Sequence, residues 1–160
     1  MDRLKIARAL ALLTPALLMA GALGSQYLGG LYPCEMCHWQ RWPHYAAIPL
    51  ALLAIALRGQ AVGRLFLALA ALAILASGAI GVFHAGVEYG WWEGLTTCSR
   101  IETSGGGVDD MLRNLMQAPV VRCDEAQWTL AGISLAGFNA IFSIGAALTI
   151  FGLMAKARKA

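Results

Sequence analysis

The stretch LFLALAALAILASGAIGVF, residues 65–83, carries no charge from end to end. Wound as a helix, such a run crosses a hydrocarbon layer of about 30 Å, which takes roughly 20 apolar residues. Arg64 precedes it and His84 follows it. Three further segments read the same way, at about 9–28, 39–57 and 133–154. Hydrophobic residues make up 59% of the 160, charged residues only 13%, and mean hydropathy is +0.63. Soluble globular chains carry about a quarter charged residues, so this is a membrane protein. Its length suits one domain over 1–160. No basic run offers a nucleic-acid footprint, and the partner implied by composition alone is membrane lipid.

Charge distribution orients the spans. Arg3, Lys5, Arg8, Arg58, Arg64, Lys156, Arg158 and Lys159 flank them on one face, which the positive-inside rule makes cytoplasmic, together with both termini. Every acid except Asp2 falls on the other side. Residues 1–25 also carry marks of a cleavable signal peptide, with a basic start and Ala20-Gly21-Ala22. The apolar run continues to Leu28, which favours a span. The loops at about 29–38 and 88–127 lie outside under either reading, where disulfides persist.

The connection 58–64 is short, so spans two and three are antiparallel neighbours. Pro15 and Pro49 fall inside spans, where proline is tolerated, and Gly78 and Gly81 permit close helix approach. In the long loop, Gly105-Gly106-Gly107 reads as a hinge. Val108, Met111, Leu112, Leu115 and Met116 recur after it at helical spacing, with Asp109 and Asp110 in the first turn. The expected fold is an all-α membrane protein: an antiparallel four-helix transmembrane bundle whose long outer loop carries a short amphipathic helix.

All four cysteines lie on the outer side. Cys34 and Cys37 form a CxxC before the second span; Cys98 and Cys123 sit in the long loop. A CxxC at a helix N-terminus brings two sulfurs within bonding reach and lowers a thiol pKa through the helix dipole. Arg41 follows Cys37 by four residues and shares its face, with His44 or Tyr45 one turn on. A cation at that depth marks a polar ligand, a wet cleft or a lipid headgroup. His84 stands at the same expected depth on the third span, so two polar side chains converge near the close pair.

Rival readings of the cysteines are open at this level. A four-thiolate zinc site typically uses two close pairs, whereas Cys98 and Cys123 are 25 positions apart; no metal is expected. Cys34-x-x-Cys37-His38 spells the covalent haem motif, but its loop is too short to wrap a macrocycle and leaves Cys98 and Cys123 without a purpose. Purely structural disulfides in a small membrane scaffold are the commonest fate of cysteines in an oxidising compartment.

Taken together, Cys34-x-x-Cys37-x-x-x-Arg41, His84 at the end of the third span, the separated Cys98 and Cys123, and Cys123-Asp124-Glu125-x-x-Trp128-x-x-x-Gly132 resemble the disulfide bond formation protein B (DsbB) family over nearly the whole chain. The resemblance implies a bacterial inner-membrane oxidoreductase that reoxidises a periplasmic thioredoxin-like thiol oxidase of the DsbA type and passes electrons to a quinone, ubiquinone or menaquinone. It assigns Cys98 to the partner's attack, Cys123 to resolution, Cys34 and Cys37 to the quinone-coupled pair with Cys37 nearest the ring, and Arg41 and His84 to the quinone site. The stretch between Ser99 and Val121 departs from the best-known members. The vitamin K epoxide reductase type also couples a CxxC to quinone, but late in the chain.

Overall fold

The computed structural model describes residues 2–95 and 121–157. Cys98, the expected amphipathic helix at 108–116 and the departing stretch 99–120 lie outside the described residues. Four long helices account for most of the rest: α1 (Arg3–Tyr27), α2 (Glu35–Ala56), α3 (Ala61–Glu88) and α4 (Leu135–Ala157). α1 starts where Asp2 accepts a hydrogen bond from the Leu4 backbone N–H at 3.0 Å, satisfying one of the orphan donors of a helix N-terminus. α1, α3 and α4 are each long and apolar enough to cross a membrane. α2 falls short of that hydropathy, because its first turns carry Glu35, His38, Gln40, Arg41 and His44.

Hydrogen bonds between helix ends show the chain running up and down. At one end Arg3 Nη1 donates to the Lys156 carbonyl (3.0 Å), Arg8 Nη2 to Arg58 (3.1 Å) and Arg64 Nη2 to Ala157 (3.4 Å). That end therefore holds the starts of α1 and α3 and the finishes of α2 and α4. At the other end Arg41 reaches Gln26, and the Tyr89 hydroxyl donates to the Gly132 carbonyl at 3.0 Å. Each helix packs on the next, and α4 closes against α1.

The apolar core is built largely from small residues, Ala7, Ala11, Ala47, Ala51, Ala70 and Ala147 among them, with Leu67, Ile74 and Ile150 filling the gaps. Without a hydrophobic driving force in lipid, close backbone approach of this kind supplies the attraction. Gly78 and Gly81 make it possible on α3: a Cβ at 78 would meet Ile144 Cγ1 at 2.7 Å, and one at 81 would meet the Ala136 carbonyl oxygen at 3.0 Å.

Each helix runs beyond the span read from the sequence at one end or both, and two boundaries bear on the site. α2 begins at Glu35, which puts Cys37 inside the first turn and leaves Cys34 as the N-cap. The fourth helix begins at Leu135 rather than Ile133, because Thr129–Leu130 (β1) and Ile133–Ser134 (β2) form a minute antiparallel hairpin, Thr129 opposite Ser134. Its turn places Ala131 and Gly132 at φ 52° and 79°, the left-handed pair that a tight hairpin needs.

Close approach at Gly81 gives a direct test. Gly81→Val should lower the thermal stability of the detergent-solubilised protein, by roughly 1–3 kcal/mol for overpacking of this kind. Gly21→Ala, whose added Cβ meets nothing within 4 Å, should leave the melting temperature near that of the parent.

Candidate functional site

Pro33 and the α2 N-terminus set the close cysteine pair. Cys34 Sγ caps the helix by accepting from the Cys37 backbone N–H at 3.2 Å, and the two sulfurs stand 2.7 Å apart. A disulfide needs about 2.05 Å, so little motion separates this dithiol from the bonded form. Cys34 is buried and Cys37 partly open. Sharing the thiol proton splits the pair: Cys34, whose S–H is hydrogen-bonded to Cys37 and which is buried, is pushed well above an ordinary thiol, while Cys37, receiving that hydrogen bond, is pulled below it.

His84 meets this pair from α3. Its Nε2 lies 3.5 Å from Cys34 Sγ and 3.7 Å from Glu88 Oε1, and the ring is also hydrogen-bonded to the backbone of Cys123. Cys123, fully buried and disulfide-bonded, packs in one apolar cluster with Cys34, Met36 and Val87. Two contacts hold its segment in place. Arg122 grips Asp124 through Nε at 2.9 Å and Nη2 at 2.5 Å, and Gln127 Nε2 donates to the Tyr32 carbonyl at 2.7 Å. The Arg122 hydrogen bonds hold the Asp124 carboxyl below the usual carboxylate range.

Arg41 is buried, donating to Gln26 Oε1 at 2.6 Å and to the Ala22 carbonyl at 3.2 Å, both on α1. A guanidinium has five N–H donors, so this anchorage does not exhaust it. Arg41, both α2 cysteines and His84 line one cavity of about 210 Å³ whose remaining wall is mostly apolar, with Leu17, Leu18, Leu135 and Phe138 contributing. Thus the structure brings Cys34, Cys37, Arg41 and His84 to one place, with Cys123 beside them. His38 of the CxxCH spelling is exposed and absent from the cavity wall.

Several functional neighbours escape the sequence reading. Glu88 lines the cavity one turn beyond His84 and accepts a very short hydrogen bond from Ser134 Oγ. Between helices lies a buried amide chain. Asn139 Nδ2 donates to Gln40 Oε1 at 2.8 Å, Gln40 Nε2 donates to His84 Nδ1 at 2.7 Å, and Ser77, His44 and Ser143 complete the network around Asn139. The available signal was a lone Asn in the apolar run of the fourth span, a position that polar side chains occupy only with a partner.

Cys34, Cys37 and His84 place potential ligand atoms within 4.8 Å of one another. The hydrogen bonding opposes metal there. Nδ1 accepts from Gln40, so the neutral ring keeps its proton on Nε2, the nitrogen a metal would need bare.

The family model described as disulfide bond formation protein DsbB matches residues 4–153. The chain belongs to the DsbB family. It is 40% identical over 72 residues to disulfide bond formation protein B of Herminiimonas arsenicoxydans, a match covering 45% of each chain. It is 23% identical over 145 residues to an uncharacterised protein of Rickettsia prowazekii (strain Madrid E), covering 89% of this chain and 83% of that one. No solved structure matches. Family membership and three span-capable helices make this a membrane protein of disulfide bond formation.

The lowered Cys37 thiol sets a pH signature. In the reduced protein, Cys37 should stay reactive toward a small alkylating agent below the ordinary thiol range, losing reactivity as pH falls through its depressed value. Cys34→Ala removes the S–H donor and should move that midpoint upward, measured by mass spectrometry of the Cys37 adduct against pH.

Proposed function

We propose that this protein is the quinone-coupled oxidoreductase of a disulfide-forming pathway. It reoxidises a periplasmic thioredoxin-like thiol oxidase of the DsbA type from the bacterial inner membrane, as an antiparallel bundle of four spans with its cysteines on the periplasmic side. One observation carries the reading: a near-bonded Cys34–Cys37 pair opens on an apolar cavity that also holds a buried arginine. Net, two partner thiols and one quinone become a disulfide and a hydroquinone.

In this scheme the partner's thiolate attacks Cys98 in a Cys98–Cys123 disulfide and Cys123 leaves; the partner's second thiol then displaces Cys98 and completes the partner's own disulfide. Cys123 attacks Cys34, its neighbour in the apolar cluster, releasing Cys37, and Cys98 then attacks Cys123, restoring the first disulfide and releasing Cys34. Cys37 and Cys34 return to the disulfide as their electrons leave through Cys37, the more open sulfur. A bound quinone, ubiquinone or menaquinone, would supply the two-electron, two-proton sink, and a largely apolar wall with a buried cation, Arg41, suits a ring whose oxygens gain charge on reduction. Arg41 holds that positive charge at the cavity wall, and Gln26 and Ala22 hold Arg41.

The decisive experiment follows thiol-driven quinone reduction by the purified protein. Wild type should turn over and Cys37→Ser should lose turnover altogether; a Cys37→Ser protein with parental rates would defeat the proposal. Arg41→Ala should raise the quinone KM or slow reduction at unchanged protein level, with Arg41→Lys recovering part of the activity by restoring charge without the planar fork.

The order of exchange has its own readout. In Cys123→Ala, a mixed disulfide formed when the Cys98 thiol attacks the disulfide of the oxidised thioredoxin-like partner should accumulate, because Cys123 is no longer there to displace the partner from Cys98. Accumulation on Cys123 in Cys98→Ala, with none on Cys98 in the first variant, would reverse the two roles.

A further inference from the structure

Two backbone carbonyls fix the polarity of the buried amide chain. The Ser77 carbonyl can only accept, and Asn139 Nδ2 lies 3.2 Å from it. The Asn139 amide is therefore oriented with its NH2 toward Ser77 and Gln40, and Gln40 must present its oxygen to that donor. The Met36 carbonyl, 3.4 Å from Gln40 Nε2, imposes the same orientation on Gln40 independently. Flipping either amide would bring two acceptors face to face. Gln40 consequently donates to His84 Nδ1, and His84, with that nitrogen occupied, carries its proton on Nε2. Nε2–H is offered to Cys34 Sγ and to the backbone of Cys123.

From this geometry we infer that Asn139 and Gln40 are positioning residues: they lock His84 as the Nε2–H donor to Cys34, which turns the Cys34 S–H toward Cys37 and leaves Cys37 as the thiolate of the reduced pair. Asn139 reaches no sulfur and acts through Gln40; Gln40 acts through His84. With Nε2 protonated, His84 offers the Cys34 S–H no acceptor, and Cys37, 2.7 Å away on the other side, is left as its partner; a ring flipped to the Nδ1–H tautomer would take that S–H on a bare Nε2. The depressed Cys37 and raised Cys34 thiols agree with that direction.

Other charges bear on the Cys37 thiol. Arg41 on its own helix favours the thiolate and Glu88 on α3 opposes it. Arg122 and Glu125, from the segment before α4, line the same cavity, as does His44 on α2, whereas the described parts of α1 and α4 contribute no charged or titratable side chain to it. Arg41, Glu88, Arg122 and Glu125 make no hydrogen bond to the amide at 40 or 139, so neither variant removes a partner of theirs; Asn139→Leu also removes a partner of His44, which Gln40→Met leaves in place.

The inference builds on the thiol-oxidoreductase reading but needs neither quinone nor partner protein for its test. The full-length protein, reduced in detergent, is treated with iodoacetamide across pH, and the Cys37 adduct is quantified by mass spectrometry. Gln40→Met and Asn139→Leu should each raise the midpoint by about one pH unit, leaving about tenfold less thiolate at pH values well below the midpoint. The double variant should shift no further than Gln40→Met alone, because the two act in one chain. A merely structural role would change the alkylation rate at every pH without moving the midpoint. Unchanged midpoints in both single variants would overturn the inference, even if wild type reduces quinone. If Gln40→Met does not accumulate, Asn139→Leu decides, since it touches neither His84 nor either thiol.

Discussion

A carbonyl oxygen inside a membrane bundle cannot turn around, and at this site two of them, on Ser77 and Met36, settle the polarity of everything attached. In water, Asn139 and Gln40 would flip freely; in a lipid-surrounded helix interface each unmatched polar atom costs several kcal/mol. The orientation of both amides is therefore strongly imposed, and through them the tautomer of His84. That ring is the junction of the molecule. It touches the α2 cysteine through Cys34 and the segment before α4 through the backbone of Cys123, so a choice made deep between helices is felt where the two cysteine-bearing segments meet.

Small residues make that choice geometrically possible. Asn139 Nδ2 would lie 3.1 Å from a Cβ at position 81, so Gly81 leaves the room in which the amide reaches Gln40 and Ser77. The alanine-rich interfaces further down the bundle serve the same end by drawing the helices together. At the opposite end, Arg3 and Arg64 donate to carbonyls in the last turn of α4, which have no intrahelical partners, and Arg8 donates to the Arg58 carbonyl just beyond α2.

The parts legible in the sequence were those written in local patterns. Apolar runs announced α1, α3 and α4, and the CxxC with Arg41 and His84 announced a converging site, because helical spacing and span ends fix depth. Position across helices is not local. Gln40 and Asn139 are 99 residues apart, and no periodicity states that they face one another. Nor did spacing reveal that Gln26 would anchor Arg41, since that depends on how α1 lies against α2. The β1–β2 hairpin escaped for another reason: Ile133 continues the apolar run of the fourth span, and only Gly132, with its permissive φ, marks the turn.

The two halves of the proposed exchange draw on different donors. When a thiolate arriving from Cys123 attacks the oxidised pair at Cys34, the sulfur that leaves is Cys37, and Cys34, then bonded to Cys123, has no S–H to offer it; Arg41 and the α2 N-terminus alone favour the leaving thiolate, and exchange runs faster when the leaving thiol has the lower pKa. When the reduced pair gives up its electrons, the Cys34 S–H is present as well and keeps Cys37 ionised. The cost falls on intrinsic nucleophilicity, which declines with pKa with a Brønsted slope of about 0.4–0.5, so lowering Cys37 by one unit removes less reactivity from the thiolate than it adds in ionised fraction wherever the thiol would otherwise stay protonated. Arg41 and the α2 N-terminus favour that anion from one side and Glu88 opposes it from the other. The relay through Asn139, Gln40 and His84 then decides which of two adjacent sulfurs carries the charge, a choice that neither a fixed cation nor a helix dipole makes so sharply between atoms 2.7 Å apart.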